Sequence, residues 1–231
     1  MTAPILEARD LTRSYGRGAN RFDALRGVSL SIDAGESVAI VGRSGSGKST
    51  LMHLLALLDR PSGGTVLLDG IDSNRLSARR VNATRNARFG FVFQQFFLIP
   101  SASALENVIL PLKVAGVGQA ERRRRGLDVL DQLGLADKAR NRASDLSGGQ
   151  KQRLVIARAL INEPSVIFAD EPTGNLDSAT GGAVEDALFA LNRDRGITLV
   201  IVTHDSDLAS RCDRELTVRD GLVAHEEALV A

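Results

Sequence analysis

The sequence predicts an α/β fold built around a parallel β-sheet. Short and almost continuous apolar runs, which are typical of buried central strands, occur at residues 37–42 (SVAIVG), 165–169 (SVIFA) and 197–204 (ITLVIVTH). Helical patterns lie between these runs, and strands that alternate with helices favour a parallel sheet. The chain has 231 residues, of which 43% are hydrophobic, so it is long enough for one sizeable core, with or without an attached subdomain.

The segments around these runs predict further strands. Apolar and polar residues alternate at residues 5–15 (ILEARDLTRSY) and 24–33 (ALRGVSLSID), which indicates half-buried strands. Short apolar runs at residues 64–70 (GTVLLDG) and 89–93 (FGFVF) indicate two more strands. Near the end of the chain, we expect a hairpin with Asp220-Gly221 as its turn.

Helices are predicted between the strands and in one longer insert. Residues 49–58 (STLMHLLALL) are apolar on nearly all sides, which favours a buried helix directly after a central strand. Residues 96–145 contain two prolines, a run of four arginines and helical patterns. We therefore expect a single domain over residues 1–231, with a helical subdomain of about residues 96–162 inserted in its core.

Composition excludes several classes of protein. The net charge of +1 lacks the strong basic excess of a nucleic-acid binder. A single cysteine, Cys212, excludes an internal disulfide framework and is expected to be a small buried hydrophobe. No targeting signal is visible, and no apolar stretch reaches the roughly 18 residues of a membrane span. We expect a soluble, cytoplasmic chain, whose work at a membrane would need another subunit to supply the spans.

A glycine-rich loop predicts a phosphate-binding site. The segment GRSGSGKST fits the pattern G-x-x-x-x-G-K-[ST] and lies between a predicted strand and a predicted helix. Small residues let backbone N–H groups converge on an anion, and the helix directs its positive end there. Lys48 is expected to reach the β- and γ-phosphates, and the Ser49 hydroxyl to bind Mg²⁺. The candidate nucleotide-binding residues of the loop are Gly42, Arg43, Ser44, Gly45, Ser46, Gly47, Lys48, Ser49 and Thr50.

Two adjacent carboxylates follow another predicted strand. Asp170 closes the apolar run of VIFADEP and is placed to hold the Mg²⁺ shell, and Glu171 comes next. Since neighbouring carboxylates repel each other, we interpret Asp170 as the metal-holding acid and Glu171 as the base that activates water. The alternative is a solvated acidic turn before Pro172.

Two further polar residues follow predicted strands. Gln94 ends FVFQ and could bind Mg²⁺ or the attacking water, and His204 ends LVIVTH and could hydrogen-bond the γ-phosphate. Ligands of open α/β sheets bind outside such strand ends. Each residue is alternatively an ordinary capped loop residue, and Gln95 competes with Gln94 for its role.

The segment SGGQ opens a predicted helix with two poor helix formers. Ser147 and Gln150 fit a capping box, which does not explain Gly148 and Gly149. Glycines at a helix start suit a close approach to the bare N–H groups, which bind anions. Since the chain already has one phosphate loop, we infer that this segment faces the γ-phosphate held by a second copy of the protein.

In this order, the segments GRSGSGKST, FVFQ, LSGGQ, VIFADEP, NLD and VTH resemble the ATP-binding cassette (ABC) ATPase family. The resemblance implies a P-loop NTPase with a RecA-like core, an antiparallel β subdomain and an inserted α-helical subdomain. It also implies an ATP-dependent head-to-tail homodimer in which Ser147, Gly148, Gly149 and Gln150 act in trans. Tyr15 would stack on adenine, although it is alternatively a surface turn residue, and Asp177 would contact the partner's phosphate loop.

A finer resemblance concerns one branch of that family. Residues 91–112 and 170–177 are similar to the branch of macrolide exporters, lipoprotein-release ATPases and the cell-division ATPase FtsE. The branch implies a cassette homodimer at the cytoplasmic face of the membrane, bound to integral-membrane permease subunits. The run FFLIP, from Phe96, would supply an apolar docking edge or pack the insert's own core. The resemblance thus implies an ATPase subunit that powers a membrane efflux or force-transmitting complex. The alternative is a soluble cassette ATPase that acts on nucleic acid or ribosomes. A simple P-loop kinase is a third alternative, but it leaves LSGGQ unexplained.

Overall fold

The computed structural model describes residues 4–229, except for the side chains of Ala19 and Ala179. The chain divides into two compact units. The first unit combines the residues up to Asn82 with those from Leu191 onward, and the second comprises Ala83–Ala190.

The first unit contains two groups of strands. Four strands form an antiparallel sheet in the order β2-β1-β4-β5: β1 (Leu6–Tyr15), β2 (Phe22–Ile32), β4 (Gly63–Leu68) and β5 (Ile71–Asp72). In the other group, neighbours follow the order β10-β9-β3-β8: β3 (Ser37–Val41), β8 (Thr198–Val202), β9 (Arg214–Arg219) and β10 (Leu222–Ala228). Strand β3 pairs in parallel with β8, as the apolar runs predict, and also with β9.

Burial explains why these strands form. Val38, Ala39 and Ile40 of β3 have no exposed surface, and all five residues of β8 are buried. A strand covered on both faces needs a continuous apolar run instead of alternation. The predicted hairpin is confirmed: β10 pairs antiparallel with β9, and Asp220 and Gly221 both have positive φ, as a tight hairpin turn requires.

The second unit contains a parallel strand pair and four complete α-helices of the described residues. Strand β6 (Phe89–Phe93) pairs in parallel with β7 (Val166–Asp170), with Phe93 opposite Asp170. The helices of this unit are α3 (Ala104–Val108), α4 (Leu110–Val114), α5 (Gln119–Gln132) and α6 (Gly148–Leu160). Phe168 of β7 is fully buried, and its ring contacts Phe89 edge-to-face at 5.2 Å between centroids.

The other four described α-helices lie in the first unit or span both units. In the first unit, α1 (Lys48–Leu55) follows β3 and α8 (Ser206–Ser210) follows β8. Helices α2 (Ala78–Arg88) and α7 (Ser178–Arg195) each begin in one unit and end in the other. Within residues 4–229, no helix combines the length and apolarity that crossing a membrane requires.

One sequence expectation is confirmed here, and one element was not foreseen. Cys212 is buried with 3% exposure, as predicted, and burial raises the pKa of its thiol to about 12. Helix α2 was not predicted, because its sequence ARRVNATRNAR has no apolar face and none of its side chains is buried.

Candidate nucleotide-binding site

The predicted phosphate-binding loop connects β3 to α1. Strand β3 ends at Val41 and α1 begins at Lys48, with the left-handed Gly47 (φ 110°) as its N-cap. The backbone N–H groups in the first turn of a helix have no intrahelical partners and point along the positive end of the dipole. The predicted order of strand, loop and helix is thus present, and the binding of phosphate by this loop stays a prediction.

Two glycines of the loop are required by close packing. A Cβ atom on Gly42 (φ 144°) would overlap the Val218 carbonyl oxygen and lie 2.9 Å from the Ser46 Oγ. A Cβ atom on Gly47 would lie 2.6 Å from the Ala24 carbonyl oxygen. Behind the loop, Gly221 donates a backbone hydrogen bond to the Ser46 carbonyl at 2.9 Å. The loop is therefore shaped by β2 and by the β9–β10 hairpin.

A matched pair of alanine variants tests this packing. Gly42→Ala is expected to destabilise the fold by about 2–4 kcal/mol, because its Cβ has no space and its φ is unfavourable for an L-residue. Gly45→Ala is the control, since Gly45 also has positive φ (78°) but no atom of residues 4–229 is recorded within 4 Å of the added Cβ. We expect a cost of about 1–2 kcal/mol. Urea denaturation measures both, and equal losses would contradict the steric argument.

Polar groups inside the loop suit a bound phosphate. The Lys48 ammonium donates to the carbonyl oxygens of Gly42 at 2.8 Å and Arg43 at 3.1 Å. Ser46 is 8% exposed, and its buried Oγ has no hydrogen-bond partner among the described residues. A buried hydroxyl without a partner is costly, so it fits a loop that receives ligand oxygens.

The two predicted carboxylates lie at the end of β7. Asp170 is the last residue of the strand, and Glu171 follows it with a φ of 45°. Such a left-handed conformation costs roughly 1–3 kcal/mol for a non-glycine residue, and such strain is concentrated at functional sites. The buried Gln152 of α6 fixes the turn, because its Nε2 donates to the Pro172 carbonyl at 2.7 Å.

Gln94 directly follows β6 and is exposed. Because Phe93 pairs with Asp170, Gln94 and Glu171 follow neighbouring positions of adjacent parallel strands. Asn175 holds this segment, since its Nδ2 donates to the Gln94 carbonyl at 2.9 Å. The structure thus brings Gln94 to the same end of the strand pair as the two carboxylates.

His204 is exposed in the short loop between β8 and α8. Both of its neighbours are fixed: the buried Thr203 accepts a hydrogen bond from the Asp205 backbone at 3.0 Å, and the Asp205 carboxylate caps α8. The backbone around His204 is therefore well defined at a strand end, as the sequence predicts.

Tyr15 ends β1 and is 39% exposed. Its hydroxyl donates to Asp59 at 3.1 Å, and the Arg13 guanidinium lies over its ring at 4.5 Å from the centroid. A cavity of about 570 Å³ nearby is lined by Ser14 and Gly16, but not by Tyr15. One ring face is thus covered by Arg13, and the predicted stacking on adenine remains a prediction.

The start of α6 has the predicted capping box. The Ser147 hydroxyl accepts from the Gln150 backbone at 3.3 Å, and the Gln150 side chain accepts from the Ser147 backbone at 3.0 Å. The two glycines differ in their surroundings. Gly148 is exposed, and a Cβ there would make only an ordinary contact of 3.8 Å with Leu176, whereas a Cβ on the half-buried Gly149 would lie 2.7 Å from the Thr180 methyl.

Asp177 precedes α7 and already has a structural role. Its Oδ1 accepts from the Thr180 backbone at 3.0 Å, and its carbonyl accepts from the Gly181 backbone at 2.8 Å. Asp177 therefore caps α7 and fixes the exposed turn at which the resemblance predicts a contact with a partner.

The run FFLIP divides between packing and exposure. Phe96 and Leu98 are half-buried, whereas Phe97 and Ile99 are 64% and 45% exposed. The Arg158 guanidinium near the end of α6 donates to the carbonyl oxygens of Phe96 at 2.9 Å and Phe97 at 2.6 Å. The packing alternative thus holds for Phe96 and Leu98, whereas docking through Phe97 and Ile99 stays a prediction.

A groove of about 390 Å³ accompanies the exposed side chains of this run. It is lined by Gln95, Phe96, Phe97, Leu98, Pro100, Ala143, Ser144 and Lys151. Burial lowers the pKa of Arg158, whose two hydrogen bonds fix the backbone at the groove's edge.

Sequence reasoning missed three supporting residues of the second unit. Gln152, Asn175 and Arg158 orient the segments of Glu171, Gln94 and Phe97 respectively. Gln152 had a detectable signal, because it lies three and four residues before the buried Val155 and Ile156, on the apolar side of α6. Asn175 and Arg158 act on backbone atoms distant in sequence, which no local pattern reveals.

The donor types at the predicted metal site suit Mg²⁺. The hydroxyl of Ser49, the amide of Gln94 and the carboxylate of Asp170 are hard oxygen donors. In the described part of the chain, no group of three or more His, Cys, Asp and Glu side chains could hold a metal ion. A Mg²⁺ ion bound by one carboxylate and by substrate phosphates needs no such group.

A phosphate-binding loop after a central strand, two carboxylates after another strand and a helix opened by SGGQ define an ATP-binding cassette. Residues 25–174 match the model of the ABC transporter family, and the chain belongs to that family as an ATP-binding and ATP-hydrolysing subunit.

Similar proteins agree with this assignment. The lipoprotein-releasing system ATP-binding protein LolD of Geobacter metallireducens is 46% identical over 219 residues, which cover 95% of this chain and 97% of that protein. The macrolide export ATP-binding/permease protein MacB of Nitrobacter winogradskyi is 49% identical over 226 residues, which cover 98% of this chain and 35% of that protein.

Solved structures confirm the predicted fold class. A dimeric structure of the ATP-binding cassette MJ0796 in a post-hydrolysis state, bound to ADP and Pi, superposes with a TM-score of 0.89. That cassette is 43% identical in sequence, and the match covers 98% of this chain and 99% of the cassette.

Proposed function

We propose that two copies of this chain bind ATP head to tail and that this dimer powers a membrane transport or force-transmitting complex. The main support is the exposed start of α6, where Gly148 has space for a side chain yet lacks one. The loop at residues 42–50 already supplies a phosphate site within the chain. An exposed helix N-terminus without a side chain at Gly148 is therefore best explained by a nucleotide that another copy holds. The dimeric state of the similar cassette MJ0796 supports the proposal.

Within one copy, the proposed roles follow from residue chemistry. Lys48 contacts the β- and γ-phosphates, and Tyr15 stacks on adenine. Ser49, Gln94 and Asp170 hold Mg²⁺, which when bound neutralises phosphate charge. Glu171 accepts the proton of the attacking water, and His204 donates a hydrogen bond to the γ-phosphate.

Across the dimer, the proposed contacts come from α6 and the turn before α7. Ser147, Gly148, Gly149 and Gln150 present the N-terminus of α6 to the partner's γ-phosphate. The helix dipole stabilises negative charge there, and a terminal N–H group hydrogen-bonds a phosphate oxygen without any added cation. Asp177 contacts the partner's phosphate loop.

The proposed partner on the other side is an integral-membrane permease at the cytoplasmic face. The exposed Phe97 and Ile99 and the adjacent groove supply an apolar surface of the kind that marks protein interaction sites. The similarity to LolD and to the MacB ATP-binding part supports a permease of the lipoprotein-release or macrolide-export type.

Charge placed on this surface tests the permease assignment. Phe97→Glu is expected to reduce by at least about tenfold the amount of the proposed permease that co-purifies with this chain from detergent-solubilised membranes. The reason is that a buried unpaired charge costs several kcal/mol at an interface. Val114→Glu is the matched control, since Val114 is an even more exposed apolar residue (76%) of the same unit. Equal recovery of the permease with both variants would contradict this docking surface.

A further inference from the structure

Resting on the proposed function, we infer that the two glycines of SGGQ have different roles. Gly148 lacks a side chain so that the partner's nucleotide can approach its backbone. Gly149 lacks one because the methyl group of Thr180 in α7 occupies the space that a Cβ would need. Thr180 is thus a positioning residue that holds the start of α6 and Asp177 at a fixed separation.

The first observation is steric. A Cβ atom on Gly149 would lie 2.7 Å from the Thr180 Cγ2, well inside van der Waals contact, but 3.8 Å from its Oγ1. The conflict therefore involves the methyl group alone. At Gly148 the nearest atom is the Leu176 Cδ2 at 3.8 Å, so no contact among the described residues requires a glycine there.

The second observation is that Thr180 is fixed on its other side. Its backbone N–H is bonded to the Asp177 carboxylate at 3.0 Å. A single residue thus contacts the start of α6 through its methyl group and the turn of Asp177 through its backbone. A shift of the first turn of α6 toward Thr180 would therefore be transmitted to Asp177.

This link matters because both ends act on the partner copy in the proposed dimer. The N-terminus of α6 faces one part of the partner's nucleotide site and Asp177 another, so their separation must match that site. A displacement of about 1 Å in such an arrangement can cost roughly 100-fold in rate.

A double-mutant cycle tests the inference in the full-length chain. Gly149→Ala is expected to lower ATP turnover and ATP-driven dimerisation by about 100-fold, through that displacement. Adding Thr180→Ser removes the clashing methyl group and should recover at least about tenfold of the loss. Adding Thr180→Val instead keeps a methyl group in place and should recover nothing. Thr180→Ser alone supplies the reference value for the cycle.

Gly148→Ala with and without Thr180→Ser is the matched control, and we expect no recovery there. If Gly149→Ala has no effect, or if Thr180→Ser fails to rescue it, the inference is overturned. If Gly149→Ala does not fold, recovery of the folded chain by Thr180→Ser supports the inference, and its failure overturns it. Failure of the proposed dimer is distinguishable, because then ATP would not dimerise even a Glu171→Gln chain with both glycines intact.

Discussion

The Glu171→Gln chain is expected to bind ATP, to form a stable dimer and to turn over at least about 100-fold more slowly than wild type. The amide has the shape of the carboxylate but cannot accept the proton of the attacking water. The backbone should stay in place, because Gln152 holds the Pro172 carbonyl next to it. Analytical ultracentrifugation with ATP and a phosphate-release assay measure the two effects.

Glu163→Gln is the control for this change. Glu163 is another glutamate with positive φ (53°), and its side chain is 85% exposed in the same unit. We expect its turnover and its dimerisation to match those of the wild type. Wild-type hydrolysis by Glu171→Gln would remove Glu171 from the role of base, whereas slow hydrolysis without an ATP-bound dimer would contradict the head-to-tail proposal.

Gly148→Asp is expected to weaken ATP-driven dimerisation by at least about 100-fold, since like charges across an interface cost several kcal/mol. The new carboxylate would meet the terminal phosphate of the partner's nucleotide. The isolated subunit should not be destabilised, because the site is exposed, the nearest atom is 3.8 Å from the new Cβ, and an acid is favourable in the first turn of a helix.

Gly148→Asn separates charge from bulk in this experiment, since asparagine is nearly isosteric with aspartate. Both variants are made in the Glu171→Gln background, so that hydrolysis does not release the dimer. The asparagine variant should dimerise more tightly than the aspartate variant, and the difference should shrink at high salt. Equal dimerisation of the aspartate variant and the parent would show that no phosphate approaches Gly148.

The sequence was a good guide to the strands and a poorer guide to some helices. Buried strands such as β3 and β8 require continuous apolar runs, which are easily recognised in the amino-acid sequence. Helix α1 ends at Leu55, before the end of the apolar run at residue 58. Leu57 has a positive φ of 54°, which does not allow the helix to continue. Helix α2 has no buried side chain, so its formation depends on factors other than an apolar face.

For the candidate site, sequence motifs identified chemistry but not the internal packing around it. The capping box of Ser147 and Gln150 followed from spacing alone and is present. The proximity of Gly149 to Thr180 did not, because the two residues are 31 positions apart and meet only where α6 and α7 approach each other. A glycine is ambiguous in sequence, since a neighbour inside the chain and a ligand outside it exclude a side chain equally well.

The hairpin behind the phosphate-binding loop has a consequence for engineering. The Val218 carbonyl fills the space beside Gly42, and Gly221 is bonded to Ser46. A nonapeptide with the sequence GRSGSGKST, transplanted into a foreign scaffold, would lack that backing and the β2 backbone that abuts Gly47. The transferable module is accordingly the motif together with β2 and the β9–β10 hairpin, and a graft confined to contiguous sequence would lose the contacts that shape the loop.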